Sequence, residues 1–216
     1  MTPLALLGGT FDPIHLGHLR VAWEAAEALD AEVRLMPANV PPHRPAPAAS
    51  AAERVRLIEA ALAGQSRLTL DARELARPGR SYTVDTLLEL RAEQASRPLL
   101  LLLGADAFAG LPTWHRWREL FDLAHLVVLT RPGHTPATPP ELSAEVAARR
   151  ASDPSELRTA PAGRVLHLPV TPLEISASAV RALLAAGREP RWLLPDALLN
   201  DPALLAPYRR AATGAS

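Results

Sequence analysis

The stretch LALLGGTFDPIHLGH, residues 4–18, decides how the rest of the chain is read. Leu4 to Leu7 is a short apolar run without polar alternation, the pattern of a strand buried on both faces in a parallel sheet. Gly8 and Gly9 end it. From Gly17 to Leu29, the apolar residues Leu19, Ala22, Trp23, Ala26 and Leu29 recur at helical spacing. Buried strand, glycine turn and amphipathic helix, in that order, predict parallel strands joined by helices.

The same alternation continues along the chain. Glu32 to Met36 reads as a second strand, followed by the proline-rich loop NVPPHRPAPAAS. Ser50 and Glu53 have the spacing of a capping box, opening a helix that Gly64 closes. Arg67 to Ala72 alternates like a strand and Thr83 to Glu93 reads as a helix. Pro98 to Gly104 and His125 to Thr130 are almost wholly apolar, as central parallel strands require. Val165 to Val170 is a further strand, and Ser178 to Ala186 a short helix ended by Gly187. The stretch at about 132–163 is rich in Pro, Ala and Arg, with one helical segment near Glu141 to Arg150. It reads as a surface insertion with little share in the core, inside a single domain spanning residues 1–216. The expected architecture is a doubly wound, Rossmann-like α/β fold with a small helical C-terminal portion. Such sheets bind ligands beyond the carboxyl ends of their strands.

Composition narrows the function. The chain has 216 residues, 48% of them hydrophobic and 21% charged, which fits a globular domain with a substantial core. A formal net charge of zero argues against a broad polyanion-binding face, so nucleic acid is not an expected partner. Absence of cysteine excludes disulfides, thiolate catalysis and cysteine-ligated zinc. Apolar runs such as Leu99 to Leu103 are far too short to span a bilayer, and the N-terminal residues lack the marks of a signal peptide. No membrane partner and a cytoplasmic location are expected.

The segment from Gly8 to His18 is neither a dinucleotide fingerprint nor a Walker A loop, since it lacks both G-x-G-x-x-G and GK[ST]. Its physics still points to phosphate. The glycine pair lets backbone approach a ligand closely. His15 and His18, three residues apart at a helix start, point the same way where the helix N-terminus favours an anion. Two alternatives stand beside this reading. Such histidines pack in cores, and with Asp12 as a third ligand they could hold zinc. Strand-to-helix placement after a glycine turn favours phosphate.

This segment resembles the H-x-G-H motif of the nucleotidyltransferase superfamily, which binds ATP phosphates. Ile175-Ser176-Ala177-Ser178-Ala179-Val180-Arg181 is similar to the superfamily's second motif, close to I-S-S-T-x-I-R. Ser178 can cap the helix there, and Arg181 adds a fixed charge. Pro41-Pro42-His43-Arg44, Ser81-Tyr82-Thr83-Val84-Asp85-Thr86, Gly104-Ala105-Asp106, the segment from Leu111 to Trp117 and the run from His125 to Gly133 resemble the bacterial nicotinate-nucleotide adenylyltransferases in order and spacing. The resemblance covers roughly Leu4 to Pro132 and Leu173 to Leu199.

The resemblance implies transfer of the AMP part of ATP to nicotinate mononucleotide, with Mg²⁺ arriving on ATP and no protein metal ligands. It implies that Gly8, Gly9, Thr10 and Phe11 line the phosphates and that His15 and His18 donate to them. Gly104 and Asp106 would hold ribose hydroxyls, although Asp106 could instead cap the following helix. Ile175 and Ser176 would lie against adenine, with Ser178 and Arg181 near the triphosphate. Arg44 stands where the family has a lysine, keeping the charge with a different geometry, and Arg131 is a further ATP candidate. Thr83, Trp114 and the backbone at His115 would hold the nicotinate ring and its carboxylate, with Thr83 and His115 each near the start of a predicted helix. Trp117 is expected to be a packing residue. Homo-oligomerisation is left open.

Overall fold

Among the residues described by the computed structural model (1–39, 46–77, 79–133 and 138–209), seven parallel strands form one sheet. These are β1 (Leu4–Gly9), β2 (Glu32–Pro37), β3 (Leu68–Leu70), β4 (Leu99–Gly104), β5 (His125–Thr130), β6 (Arg150–Ala151) and β7 (Val165–Pro169). Their spatial order is β3-β2-β1-β4-β5-β7-β6. The chain thus builds outward from β1 through β2 to β3, then returns to β1's other side with β4. Between β1 and β4 the winding reverses, and a crevice opens beyond the strand ends, as expected for a doubly wound sheet.

Successive strand residues face opposite ways, and the apolar runs use both faces. Leu4, Leu6, Leu99, Leu101, Leu103, Leu126 and Val128 face one core; Ala5, Leu100, Leu102, Val127 and Leu129 face the other. The second core is covered by α1 (Leu16–Leu29) and α2 (Ala51–Leu62), and by α8 (Ala177–Ala185) near the C-terminus. The first is covered by α4 (Thr83–Glu93), α6 (Leu120–Leu123) and α7 (Pro140–Arg149). Short helices α3 (Arg73–Ala76), α5 (Ala105–Ala109), α9 (Asp196–Leu199) and α10 (Ala206–Arg209) complete the set. No helix among the described residues is long and apolar enough to cross a membrane.

Local signals set most boundaries. Ser50 caps α2 as its spacing predicts: its N–H donates to Glu53 at 2.8 Å, and its hydroxyl accepts from the Glu53 N–H at 3.3 Å. Helix α4 and strand β5 span the residues expected for them. The stretch 132–163 differs. Leu142 of α7 and Leu157 are buried in the cores, and Ala151 extends the sheet edge by pairing with Leu166. Leu142, Ala151 and Leu157 are too few and too irregularly spaced to show a period, yet all three are buried. Residues 134–137 of that stretch lie outside the described residues.

Candidate active site

Strand β1 delivers the glycine turn to the crevice. A Cβ at Gly8 or Gly104 would meet nothing within 4 Å, so the carboxyl ends of β1 and β4 leave open space between them. At Gly9 a Cβ would lie 2.9 Å from the ring of Phe11, which folds back under the turn at a positive φ of 49°. Glycine is required there by contact, whereas at Gly8 it leaves room for a ligand.

The turn is fixed from behind by a buried cation. Arg54 is 1% exposed, and its Nη1 donates to the carbonyls of Thr10 and Ala38, each at 2.8 Å. Because a trans peptide opposes its C=O and N–H, the Phe11 N–H points away from Arg54. Arg54 lies on the apolar stripe of α2 with Leu57, Ile58 and Leu62, and a charge at such a position was the sequence signal for a buried role.

His15 is the N-cap of α1 and His18 lies in its first turn. Their rings stack with centroids 3.6 Å apart, and His18 meets Phe11 edge-on at 5.0 Å. Gly17 makes the stack possible, since a Cβ there would sit 3.0 Å from His15 Nδ1. The His15 backbone N–H donates to His18 Nδ1 at 3.3 Å. A nitrogen that accepts carries no proton, so neutral His18 holds its proton on Nε2. Burial lowers the pKa of His15 to about 4, and burial together with the neighbouring His15 lowers that of His18 to about 3. Both rings are therefore neutral donors at pH 7.

Asp12, weighed above as a zinc ligand, is only 5% exposed and its carboxylate is engaged. Oδ2 accepts from Ala48 N–H at 2.8 Å; Oδ1 accepts from Ala49 N–H at 3.0 Å and from the Tyr208 hydroxyl at 2.9 Å. Among the described residues there is no cluster of three or more His, Asp or Glu side chains able to hold a metal. Asp12 is a structural anchor that joins the turn, the segment before α2 and the C-terminal helix.

The second motif meets the first here. Arg181 Nη1 donates to the Asp12 carbonyl at 2.7 Å and its Nη2 to Ser178 Oγ at 3.1 Å. The cap of α8 is Ser176, whose hydroxyl accepts from Ala179 N–H at 3.1 Å; this corrects the assignment of that role to Ser178. Ser178 holds the guanidinium instead. Ile175 is half-buried beside this cap, and exposed Arg131 pairs with Glu174 at 3.4 Å. Asp106 is exposed in the first turn of α5, and the N-cap is Gly104, so its carboxylate does not cap the helix. Arg44 lies outside the described residues.

A cavity of about 590 Å³ runs from Gly8, Gly9 and Thr10 to Thr83, Trp114 and His115. Thr83 is the first residue of α4, where backbone N–H groups lack helical partners. His115 sits in a turn just before the short 3₁₀ segment Trp117–Glu119, whose cap is Arg116 and which runs into α6, and its ring lies 4.5 Å from that of Tyr82. Trp117 is buried in the core. Glu74, Arg80 and Thr86 also line this cavity, and sequence reading missed them. Thr86, one turn beyond Thr83 on the same helix face, was the available signal. A separate hollow of about 360 Å³ beside Leu16, Trp23 and Leu62 is almost wholly apolar and contains none of the expected phosphate contacts.

Comparison with known proteins agrees with this geometry. The signature of the family described as cytidylyltransferase-like matches residues 6–183, from the glycine turn through Arg181, and the chain belongs to that class of nucleotidyltransferase. A Halorhodospira halophila protein named "Probable nicotinate-nucleotide adenylyltransferase" is 53% identical over 90% of each chain. A Pseudomonas syringae protein of the same name is 48% identical over 99% of this chain and 96% of its own. Within the class, the chain belongs to the family of nicotinate-nucleotide adenylyltransferases. The fold is shared with Plasmodium falciparum nicotinic acid mononucleotide adenylyltransferase, solved in complex with NaAD: TM-score 0.67, 14% identity, covering 93% of this chain and 96% of that one.

Proposed function

We propose that this chain transfers the adenylyl group of ATP to nicotinate mononucleotide, giving nicotinate adenine dinucleotide (deamido-NAD) and pyrophosphate, a step of NAD biosynthesis. The observation that carries this reading is the continuity of one cavity from the glycine turn to Trp114 and the start of α4. One substrate's phosphates and the other's ring can therefore share a single crevice. The mononucleotide lies with its ring on Trp114 and its carboxylate near the Thr83 and His115 backbone, leaving its 5′-phosphate at Gly8–Phe11. ATP enters from the β4 and α8 side, with Gly104 and Asp106 on ribose, Ile175 and Ser176 on adenine, and Ser178, Arg181 and Arg131 toward the triphosphate. Arg44 belongs to the same phosphate set.

The reaction needs no enzyme nucleophile. A 5′-phosphate oxygen of the mononucleotide attacks the α-phosphorus of ATP in line, a new P–O bond forms, and the bond to the β-phosphate oxygen breaks. Pyrophosphate leaves with the Mg²⁺ that entered as part of the ATP substrate, held chiefly by phosphates and water. Catalysis is then positioning plus stabilisation of charge on the transferring group. His18 presents Nε2–H and His15 stacks beside it at the helix start, where an anion is favoured. Arriving phosphate charge raises the pKa of both rings and strengthens their hydrogen bonds. A cytoplasmic site of action is part of the same reading. The test is pyrophosphate release with ATP and each mononucleotide in turn. Release with nicotinate mononucleotide is expected, and none with either mononucleotide would refute the assignment.

A further inference from the structure

The floor of the ring end of the cavity is polar in an unexpected way. Glu74, on α3, is 9% exposed, yet it lines the cavity with Thr83, Thr86 and Trp114. Its Oε1 accepts from the Thr86 hydroxyl at 2.9 Å, and that hydroxyl accepts from Arg77 Nη1 at 2.9 Å. Oε2 accepts no hydrogen bond among the described residues and is not among the buried orphaned atoms, so it keeps some access to solvent in a residue that lines the cavity. Thr86 stands one helical turn from Thr83, the residue beside which the nicotinate carboxylate is placed. A second carboxylate is thus brought to a buried carboxylate. Two such groups in one low-dielectric site cannot both be ionised without a large penalty.

We propose that Glu74 is a specificity-determining residue: in the substrate complex it carries a proton and donates it, as a hydrogen bond, to the nicotinate carboxylate, so the acid substrate binds together with one proton. The proposal rests on the functional reading above and deepens it. No bond is made or broken except that to the proton, which comes from solvent. The amide substrate has no charge to relieve, and its NH₂ can donate to the ionised carboxylate, so it binds without the proton.

The surroundings support a shared proton over a fixed anion. Burial raises the pKa of Glu74 above its ordinary value, with Asp71 and Glu89 adding to the rise while Thr86 and Arg77 oppose it. Arg77 is itself paired with Glu89 at 2.6 Å, and Asp71 is paired with Arg73 and Arg34. The cavity is also lined by Arg80, Tyr82 and His115, of which Arg80 and His115 are solvent-exposed. No cation is therefore dedicated to Glu74.

The test is calorimetric titration of the full chain at pH 7.5, in two buffers of different ionisation enthalpy, with nicotinamide mononucleotide as the control that shares the phosphate. On the order of one proton more should be taken up per nicotinate mononucleotide than per nicotinamide mononucleotide. Above pH 7.5 the KM for the acid should climb toward roughly tenfold per pH unit relative to that for the amide. In Glu74→Gln, an isostere of the protonated acid, both differences should vanish. Equal proton uptake for both mononucleotides in the parent, while nicotinate mononucleotide is bound and adenylylated, overturns the proposal and leaves the functional reading intact. A difference that persists in Glu74→Gln also overturns it, because the proton then resides elsewhere. Binding of neither mononucleotide would overturn both. If Glu74→Gln does not fold, proton uptake by the parent decides alone.

Discussion

Replacing Asp12 separates an anchor from a metal ligand. In Asp12→Ala the donors Ala48 N–H, Ala49 N–H and Tyr208 O–H all lose their acceptor in a site where the parent residue is only 5% exposed. A buried donor left unpaired costs about 1–3 kcal/mol, so this variant should lose at least about 3 kcal/mol. For a chain of this size each kcal/mol lowers Tm by roughly 2–4 °C, which gives a fall of about 6 °C or more. Asp12→Asn is milder. With its oxygen toward Ala49 N–H and the Tyr208 hydroxyl, its NH₂ faces Ala48 N–H, one donor against another. That single mismatch costs about 1–3 kcal/mol, or roughly 2–12 °C. The order of Tm should be parent, then Asn, then Ala, read by scanning calorimetry with and without a chelator. The chelator should change none of the three, because the carboxylate serves backbone and tyrosine. Melting of Asp12→Ala within 2 °C of the parent, or a chelator shift confined to the parent, would refute the reasoning.

Three further outcomes are expected. His18→Ala should lower kcat/KM by on the order of a hundredfold or more, since it removes a preorganised donor; its Tm should fall only a few degrees, as it loses one bond from the His15 N–H worth about 1 kcal/mol. Full activity, or an unfolded variant, would count against the phosphate role. Gly17→Ala should reduce kcat with little loss of stability, because the new Cβ presses on His15 at 3.0 Å while alanine favours the helix by about 1 kcal/mol; an unaltered kcat would show that the His15–His18 stack is not needed. Stability to urea should fall between pH 7.5 and 5.5. His15, His18 and His125 have pKa values lowered by burial, so the unfolded chain takes up protons first as pH drops below about 6.5, and the loss continues toward the folded values, about 4 for His15 and about 3 for His18. His15 and His18 contribute about 1 kcal/mol each over that interval and His125 acts in the same direction; the raised pKa of Glu74 works in the opposite direction but is a single group. Equal urea midpoints at the two pH values would show that these rings are not held neutral.

What the sequence determined by itself was whatever is written in short-range periods. The run Leu99 to Leu103 must supply both faces of a sheet, and Ser50 with Glu53 must start a helix, because strand alternation and capping involve residues at most four apart. The turn proposed to hold phosphate was legible as a structural unit for the same reason: Gly8, Gly9, His15 and His18 lie within one strand-turn-helix unit. The sparse leucines of residues 132–163 carried no such period, and their burial became evident only once the sheet edge was in place. The cap of α8 is Ser176, while Ser178 meets Arg181, whose other partner is the Asp12 carbonyl 169 positions away. Asp12 itself read as a candidate ligand until its partners arrived from 36, 37 and 196 positions away. Glu74 gave no local sign of facing a substrate, since its meaning depends on α3 being laid under the first turn of α4. A carboxylate's role follows from which donors or charges surround it. In this chain those neighbours are chosen by the winding of the sheet, which no local pattern of residues encodes.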